Sequence, residues 1–116
     1  MNVEYGATYY RVTYADPKCS MPGLEPIVYI GENIFGDEKE TTYYFQDTVS
    51  VLVFGRVDET TDTEECCVSS CPGNELGTSI VDIDQASRLV TSAAEKSRAM
   101  GYPKLEKTKG EWKSAT

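Results

Sequence analysis

Residues 41 to 57 read TTYYFQDTVSVLVFGRV and form the most strand-prone stretch of the chain, since Thr, Tyr, Phe and Val favour extended backbone. One unbroken strand of this length would span more than about 50 Å, too long for so small a domain. We therefore expect a break near residues 46 to 48. Residues 49 to 54 then carry mostly apolar side chains on both faces. This pattern predicts a central strand that is covered on both sides.

The flanking sequence predicts two further strands and two irregular segments. Residues 7 to 15 alternate as a strand does, and residues 27 to 30, IVYI, are rich in β-branched side chains. Residues 16 to 26 contain three prolines, so we expect an irregular connection through which strand pairing cannot continue. Residues 58 to 78 are rich in acids, Cys and Gly without an apolar period, and they predict a long loop.

One helix is predicted near residues 83 to 100. Asp82 is a suitable N-cap and Gln85 follows three residues later, as in a capping box, while Gly101 marks the end. We expect Arg88, Glu95, Lys96 and Arg98 to face water. The apolar side chains fall largely on one stripe, formed by Ile83, Ala86, Leu89, Val90, Ala93 and Met100.

These elements predict an α+β fold. We expect a single small domain over residues 1–101, with an antiparallel sheet of about four or five strands packed against one C-terminal helix. A long acidic, Cys-containing loop interrupts the domain at residues 58–78. Residues 102–116 form a basic C-terminal tail that we interpret as a solubilising or docking segment.

Charge is distributed unevenly along the chain. Residues 32 to 84 hold thirteen carboxylates against Lys39 and Arg56, a net −11, while residues 85 to 116 hold seven bases against three acids, a net +4. With −1 for residues 1 to 31, these values sum to the net charge of −8. A polarised field of this kind favours basic partners and speeds association with them.

The acidic region, together with two neighbouring tyrosines, is the candidate partner-binding surface. Carboxylates can take the place of phosphates, since Arg and Lys pair with either group. Tyr adds a large contact area with a polar tip. The candidate residues are Glu32, Asp37, Glu38, Glu40, Asp47, Asp58, Glu59, Asp62, Glu64, Glu65, Tyr43 and Tyr44.

We therefore hypothesise a non-enzymatic, acidic protein-binding module whose partner has a basic surface. Such a module could occupy the basic groove of a nucleic-acid-binding protein and act as an inhibitor by nucleic-acid mimicry. In composition the chain resembles small acidic inhibitors carried by phages and other mobile elements. A second interpretation is a structural or interaction domain whose acidity serves solubility alone.

The cysteines offer an alternative function. Cys19, Cys66, Cys67 and Cys71 supply the four thiolates that a tetrahedral Zn²⁺ site requires, and they could equally serve thiol-redox chemistry. Their spacing departs from the usual pair of C-x2–4-C knuckles, because Cys66 and Cys67 are adjacent. Nearby carboxylates should also raise the pKa values of these thiols and disfavour nucleophilic roles.

Several function classes have little support. The chain contains no histidine, which removes Ser-His and Cys-His catalytic pairs, and no Gly-rich phosphate motif is present, so we expect no enzyme. The tail lysines are diluted by Glu106 and Glu111, so direct nucleic-acid binding is not expected. No membrane span is expected, and the N-terminal residues lack a signal-peptide pattern, which favours the cytoplasm. The tail lysines named above in connection with nucleic-acid binding are Lys104, Lys107, Lys109 and Lys113.

Overall fold

The computed structural model describes residues 1–36, 39–61, 63–105 and 112–113. Two helices, seven strands and two short 3-10 turns form within this part of the chain. In order these are β1 Thr8–Tyr14, β2 Pro22–Glu32, β3 Thr42–Asp47, α1 Thr48–Phe54, a 3-10 turn Thr63–Glu65, β4 Val68–Pro72, a 3-10 turn Gly73–Glu75, β5 Ile80–Val81, α2 Ile83–Ala99, β6 Lys104–Leu105 and β7 Trp112–Lys113.

Five strands form one antiparallel sheet in the order β4-β3-β2-β1-β5. Helix α2 packs on β1 and β2, and the shorter α1 lies beside β2 and β3. Strands β6 and β7 pair with each other in a separate ribbon. The predicted α+β class, with an antiparallel sheet of four or five strands against a C-terminal helix, is confirmed.

Each face of the sheet carries its own apolar cluster, because side chains alternate along every strand. On the face under α2, Val12 and Val81 pack with Ala86 and Leu89 of the helix. The opposite face carries a larger cluster, against which the N-terminal segment packs through Val3 and Ala7. The buried members of that cluster are Tyr9, Ile27, Tyr29, Phe45, Cys71 and Ile80.

The prediction that residues 16 to 26 interrupt strand pairing is wrong for its second half. Strand β2 begins at Pro22, and its ladder with β1 includes the pairs Tyr14↔Pro22 and Tyr10↔Pro26. The backbone bond from Tyr29 N to Ala7 O, 3.0 Å, fixes the alternation of this ladder. By that alternation both prolines occupy non-hydrogen-bonded sites, where an N–H would point away from β1. The missing donors therefore cost this ladder nothing.

The predicted central strand over residues 49 to 54 is also wrong, because this segment is helix α1. Asp47 caps it by accepting from Ser50 N at 3.1 Å. At the other end Gly55, with φ of 84°, donates its N–H to Val51 O at 2.8 Å. Two caps eight positions apart thus outweigh the strand preference of the valines, a preference that depends on a sheet neighbour.

The predicted loop over residues 58 to 78 contains ordered structure. Strand β4 pairs with β3 along its length, from Thr42↔Pro72 to Gln46↔Val68, and forms one edge of the sheet. The sequence VSSCP lacks a clear alternation, which is why its strand character was missed. One 3-10 turn lies on either side of β4.

Helix α2 forms as predicted. Asp82 accepts from Gln85 N at 2.7 Å, and the Gln85 side chain accepts from Asp82 N at 3.2 Å, which completes the capping box. Arg88, Glu95, Lys96 and Arg98 are exposed, as expected. The predicted apolar stripe is only partly buried, since Ile83 and Val90 are exposed.

The proposed boundary between a domain and a tail stays a prediction, since the described part of residues 102–116 contains only β6, β7 and the residues before β6. Neither helix within the described ranges combines the length and the apolar character needed to cross a membrane.

Candidate binding surface

Helix α1 is fixed by polar side chains on its inner side. Gln46, which is 0% exposed, donates from Nε2 to Ser50 Oγ and to Gly55 O, both at 2.9 Å, and accepts from Val57 N at 2.8 Å. Ser50 Oγ also accepts from Cys67 N at 3.1 Å. One glutamine thereby ties both ends of α1 to β3, and the helix cannot turn about its axis without losing these bonds.

Apolar side chains of the same helix point outward. Val49 is 63% exposed, Leu52 85% and Val53 65%. At about 100° per residue, these three positions fall within an arc of about 100° on the helix surface. We refer to Val49, Leu52 and Val53 as the α1 stripe.

Part of the predicted acidic surface is neutralised within the chain. Asp47 is the cap of α1, so its carboxylate serves the fold. Arg56 forms ion pairs with Asp58 and Glu59 and lies over the ring of Tyr5, 4.5 Å from the ring centroid. The Tyr5 hydroxyl donates to the Asp58 carboxylate, and this bond raises the pKa of the phenol. Asp58 and Glu59 therefore carry less charge toward a partner than the sequence indicates.

Glu64 and Glu65 are the exposed carboxylates next to α1. They lie on the 3-10 turn Thr63–Glu65, which contacts α1. Within the described part of the chain, no ion pair engages either residue. Their charge is thus directed at solvent from a turn that contacts α1.

Two further predicted acids, Glu32 and Glu40, do not join this group. Glu32 and Glu40 are exposed at the β2–β3 connection, at the opposite end of β3 from α1. Six residues of strand separate the two ends by about 17 Å. Asp37, Glu38 and Asp62 lie outside the described residues. Among the described acids, the predicted continuous band is therefore divided into two clusters.

The two predicted contact tyrosines belong mainly to the packing of β3. Tyr43 is half-buried against the larger apolar cluster, and its ring centroid lies 6.2 Å from that of Tyr29. Tyr44, on the other face, meets Phe35 edge-on at 4.9 Å between ring centroids. Both rings are thus partly engaged within the chain, and both side chains are half-buried.

The structure does not bring the cysteines together. Cys71 is buried in the larger apolar cluster, and burial raises the pKa of its thiol. Cys66 donates to Gly55 O beside α1, Cys67 is exposed, and Cys19 lies in the β1–β2 connection. Among the residues that the structure describes, no three of the types His, Cys, Asp and Glu are placed to hold a metal ion. The zinc alternative has no geometric support there.

A second apolar surface lies between α2 and the β1–β2 hairpin. This groove of about 360 Å³ is lined by Tyr10, Leu24 and Ala86 and by the exposed side chains of Ile83 and Val90. No exposed acidic side chain lines it. It is therefore a feature separate from the acidic surface.

The α1 stripe is the part of this surface that sequence reasoning missed. Asp47 before the segment and Gly55 after it were available as cap signals, and a helical projection would have placed Val49, Leu52 and Val53 together. Comparison of the chain with known proteins gave no match to a protein-family model, a curated protein or a solved structure.

Proposed function

We propose that the protein is a non-enzymatic binding module that docks onto a basic surface of a partner protein. The observation that carries this proposal is the position of Glu64 and Glu65, which are exposed on a turn against α1 with no ion pair among the described residues. Carboxylates held at a fixed site and left unpaired are suited to a partner's Arg and Lys side chains.

The chain's overall charge also favours a basic partner. Residues 32 to 84 carry a net −11, and this field would steer a basic partner toward the acidic surface. Arg56 reduces the field locally by its ion pairs, so we assign the main electrostatic contact to Glu64 and Glu65.

A finer proposal concerns what the partner does. Basic grooves on proteins commonly hold nucleic acid, and carboxylates can occupy the sites of phosphates. We propose that the module acts as an inhibitor in the cytoplasm, by filling such a groove in the manner of small phage-encoded inhibitors. Duplex DNA or RNA would then compete with the protein for its partner.

The experiment is capture of partners from host lysate on the immobilised protein, with elution by increasing NaCl. We expect a basic protein that is released by salt and by duplex DNA or RNA, because surface charge pairs are screened. The variant Glu64→Lys with Glu65→Lys should lose this protein. The matched control, Asp84→Lys with Glu95→Lys, makes the same change of charge on exposed α2 positions and should retain it. Capture that is indifferent to salt and to the first variant would contradict the proposal.

A further inference from the structure

Helix α1 exposes an apolar stripe although its inner side is also largely apolar, with Ser50 buried and Val51 and Phe54 partly buried. A surface helix normally turns its apolar stripe to the core and its polar side to water. Here Ser50 is buried, while Val49, Leu52 and Val53 are more than 60% exposed. Single exposed apolar residues are ordinary, but a contiguous group on one helix face indicates an interaction site.

The orientation of this helix is imposed by the fold. Turning the α1 stripe inward would withdraw Ser50 Oγ from Gln46 Nε2 and from Cys67 N. It would also release the carboxylate of Asp47 from Ser50 N. Buried or partly buried polar groups that lose their partners destabilise the fold. The stripe is therefore held in water by bonds on the other side of the helix.

The charges near α1 indicate what binds the stripe. Glu64 and Glu65 lie on the turn that contacts α1, and Arg56 at the end of the helix is already paired with acids. A second copy docked stripe to stripe would bring two sets of these carboxylates together, between chains that each carry −8. An apolar surface bordered by Lys and Arg would meet both the stripe and the carboxylates favourably.

We infer that the α1 stripe packs against an amphipathic basic helix of the partner protein. That helix carries Leu or other large aliphatic side chains on one face and Lys or Arg on either side of that face. This inference rests on the proposed function and names the partner's recognition element. Val49, Leu52 and Val53 supply the apolar anchors, while Glu64 and Glu65 pair with the flanking bases. The two-turn helix α1, about 10 Å long, presents these anchors to a single crossing helix.

The test uses two synthetic peptides of identical composition, containing only Leu and Lys. One places Leu at helical spacing on one face, and the other has a scrambled order. Binding of each labelled peptide to the purified protein is followed by fluorescence anisotropy. We expect the amphipathic peptide to bind at least tenfold more tightly than the scrambled peptide, because only the former presents an apolar face.

Two stripe variants, Leu52→Ser and Val49→Ser, should each weaken binding of the amphipathic peptide, by about tenfold for Leu52→Ser. Both positions are exposed, and circular dichroism and thermal unfolding would confirm that the fold is kept. Ile83→Ser is the matched control, since Ile83 is 64% exposed on α2, and it should leave binding unchanged. Equal binding of both peptides, or no effect of either stripe variant, would overturn the inference.

The outcomes separate this inference from the proposed function. Loss of binding in Leu52→Ser together with indifference to Glu64→Lys and Glu65→Lys would support the apolar contact and contradict the electrostatic one. The reverse pattern would retain electrostatic docking and overturn the role of the stripe. Sedimentation analysis tests a second copy as the occupant. A dimer of the wild-type chain that becomes monomeric in Leu52→Ser would also overturn the inference.

Discussion

Gln46 Nε2 lies 2.9 Å from Ser50 Oγ, and this buried hydrogen bond joins the end of strand β3 to the first turn of helix α1. The same glutamine holds the carbonyl of Gly55 and the amide of Val57. The side chain of Gln46 therefore forms hydrogen bonds with backbone groups that follow the C-terminal end of α1. The orientation of α1, and of the surface it presents, depends on this residue.

Replacement of Gln46 by methionine should destabilise the protein strongly. Met has a similar size but cannot form the three hydrogen bonds, and their partners would lose them at buried or partly buried sites. We expect Gln46→Met to lower the free energy of unfolding by at least about 2 kcal/mol, measured by urea denaturation. Gln85→Met, which gives up one bond at the start of α2, should cost about 1 kcal/mol or less. Equal losses in the two variants would contradict this role of Gln46.

The capping box of α2 should contribute measurably to stability. Asp82→Ala removes the acceptor for Gln85 N, and we expect a loss of about 1 kcal/mol in thermal or chemical unfolding. Asp82→Ser keeps a side-chain acceptor and should restore most of that loss. If serine and alanine behaved alike at this position, the cap would not be the cause.

Asp16 should make stability depend on pH in the acid range. Its carboxylate accepts from the Ser20 hydroxyl and from the backbone amides of Ser20 and Met21, and these bonds hold the pKa of Asp16 below its usual value. Since the folded pKa is the lower one, this stabilisation is complete above the unfolded pKa and is lost as pH falls through the folded pKa. Asp16→Asn should therefore flatten the decline in unfolding free energy between about pH 5 and pH 2.

The Ser20→Ala variant provides a graded control for Asp16. It removes the hydroxyl donor that contributes most to the lowered pKa and retains the two backbone donors. The slope of unfolding free energy against pH should then lie between those of the wild type and Asp16→Asn. If the Asp16→Asn variant kept the wild-type slope of unfolding free energy against pH, groups other than Asp16 would control the acid transition.

The cysteines should differ in their reactivity. Cys67 is exposed, whereas Cys71 is buried and its thiol has a raised pKa, so less of it is the nucleophilic thiolate. Brief treatment of the folded protein with iodoacetamide, followed by peptide mass spectrometry, should label Cys67 before Cys71. Denaturant should abolish the difference. Early labelling of Cys71 in the folded state would contradict its place in the core.

The elements that sequence predicted well have signals within a few residues of one another. Asp82, Gln85 and Gly101 bracket α2, and alternation alone identifies β1. Helix α1 was missed because its valines favour strands in general. The residue that holds this helix in place, Gln46, lies before the helix and forms hydrogen bonds with residues up to eleven positions later. Hydrogen bonds between residues this far apart produce no periodic pattern in the sequence.

The candidate surface was predictable in charge and unpredictable in arrangement. The acid-rich composition identified Glu64 and Glu65 among many carboxylates. Only the fold shows that Arg56 forms ion pairs with Asp58 and Glu59, and that β3 separates Glu32 and Glu40 from the acids near α1. Ion pairing and distance depend on tertiary contacts, which composition does not contain.

The prolines of β2 have a consequence for the solution behaviour of the protein. The ladder of β2 with β3 begins at Ile27, so residues 22 to 26 pair only with β1 and present their other side to solvent within the described structure. Pro22 and Pro26 remove two of the three outward N–H groups that an incoming strand from another molecule would need, and only that of Leu24 remains. This segment thus carries built-in protection against intermolecular β-pairing and the aggregation that follows from it.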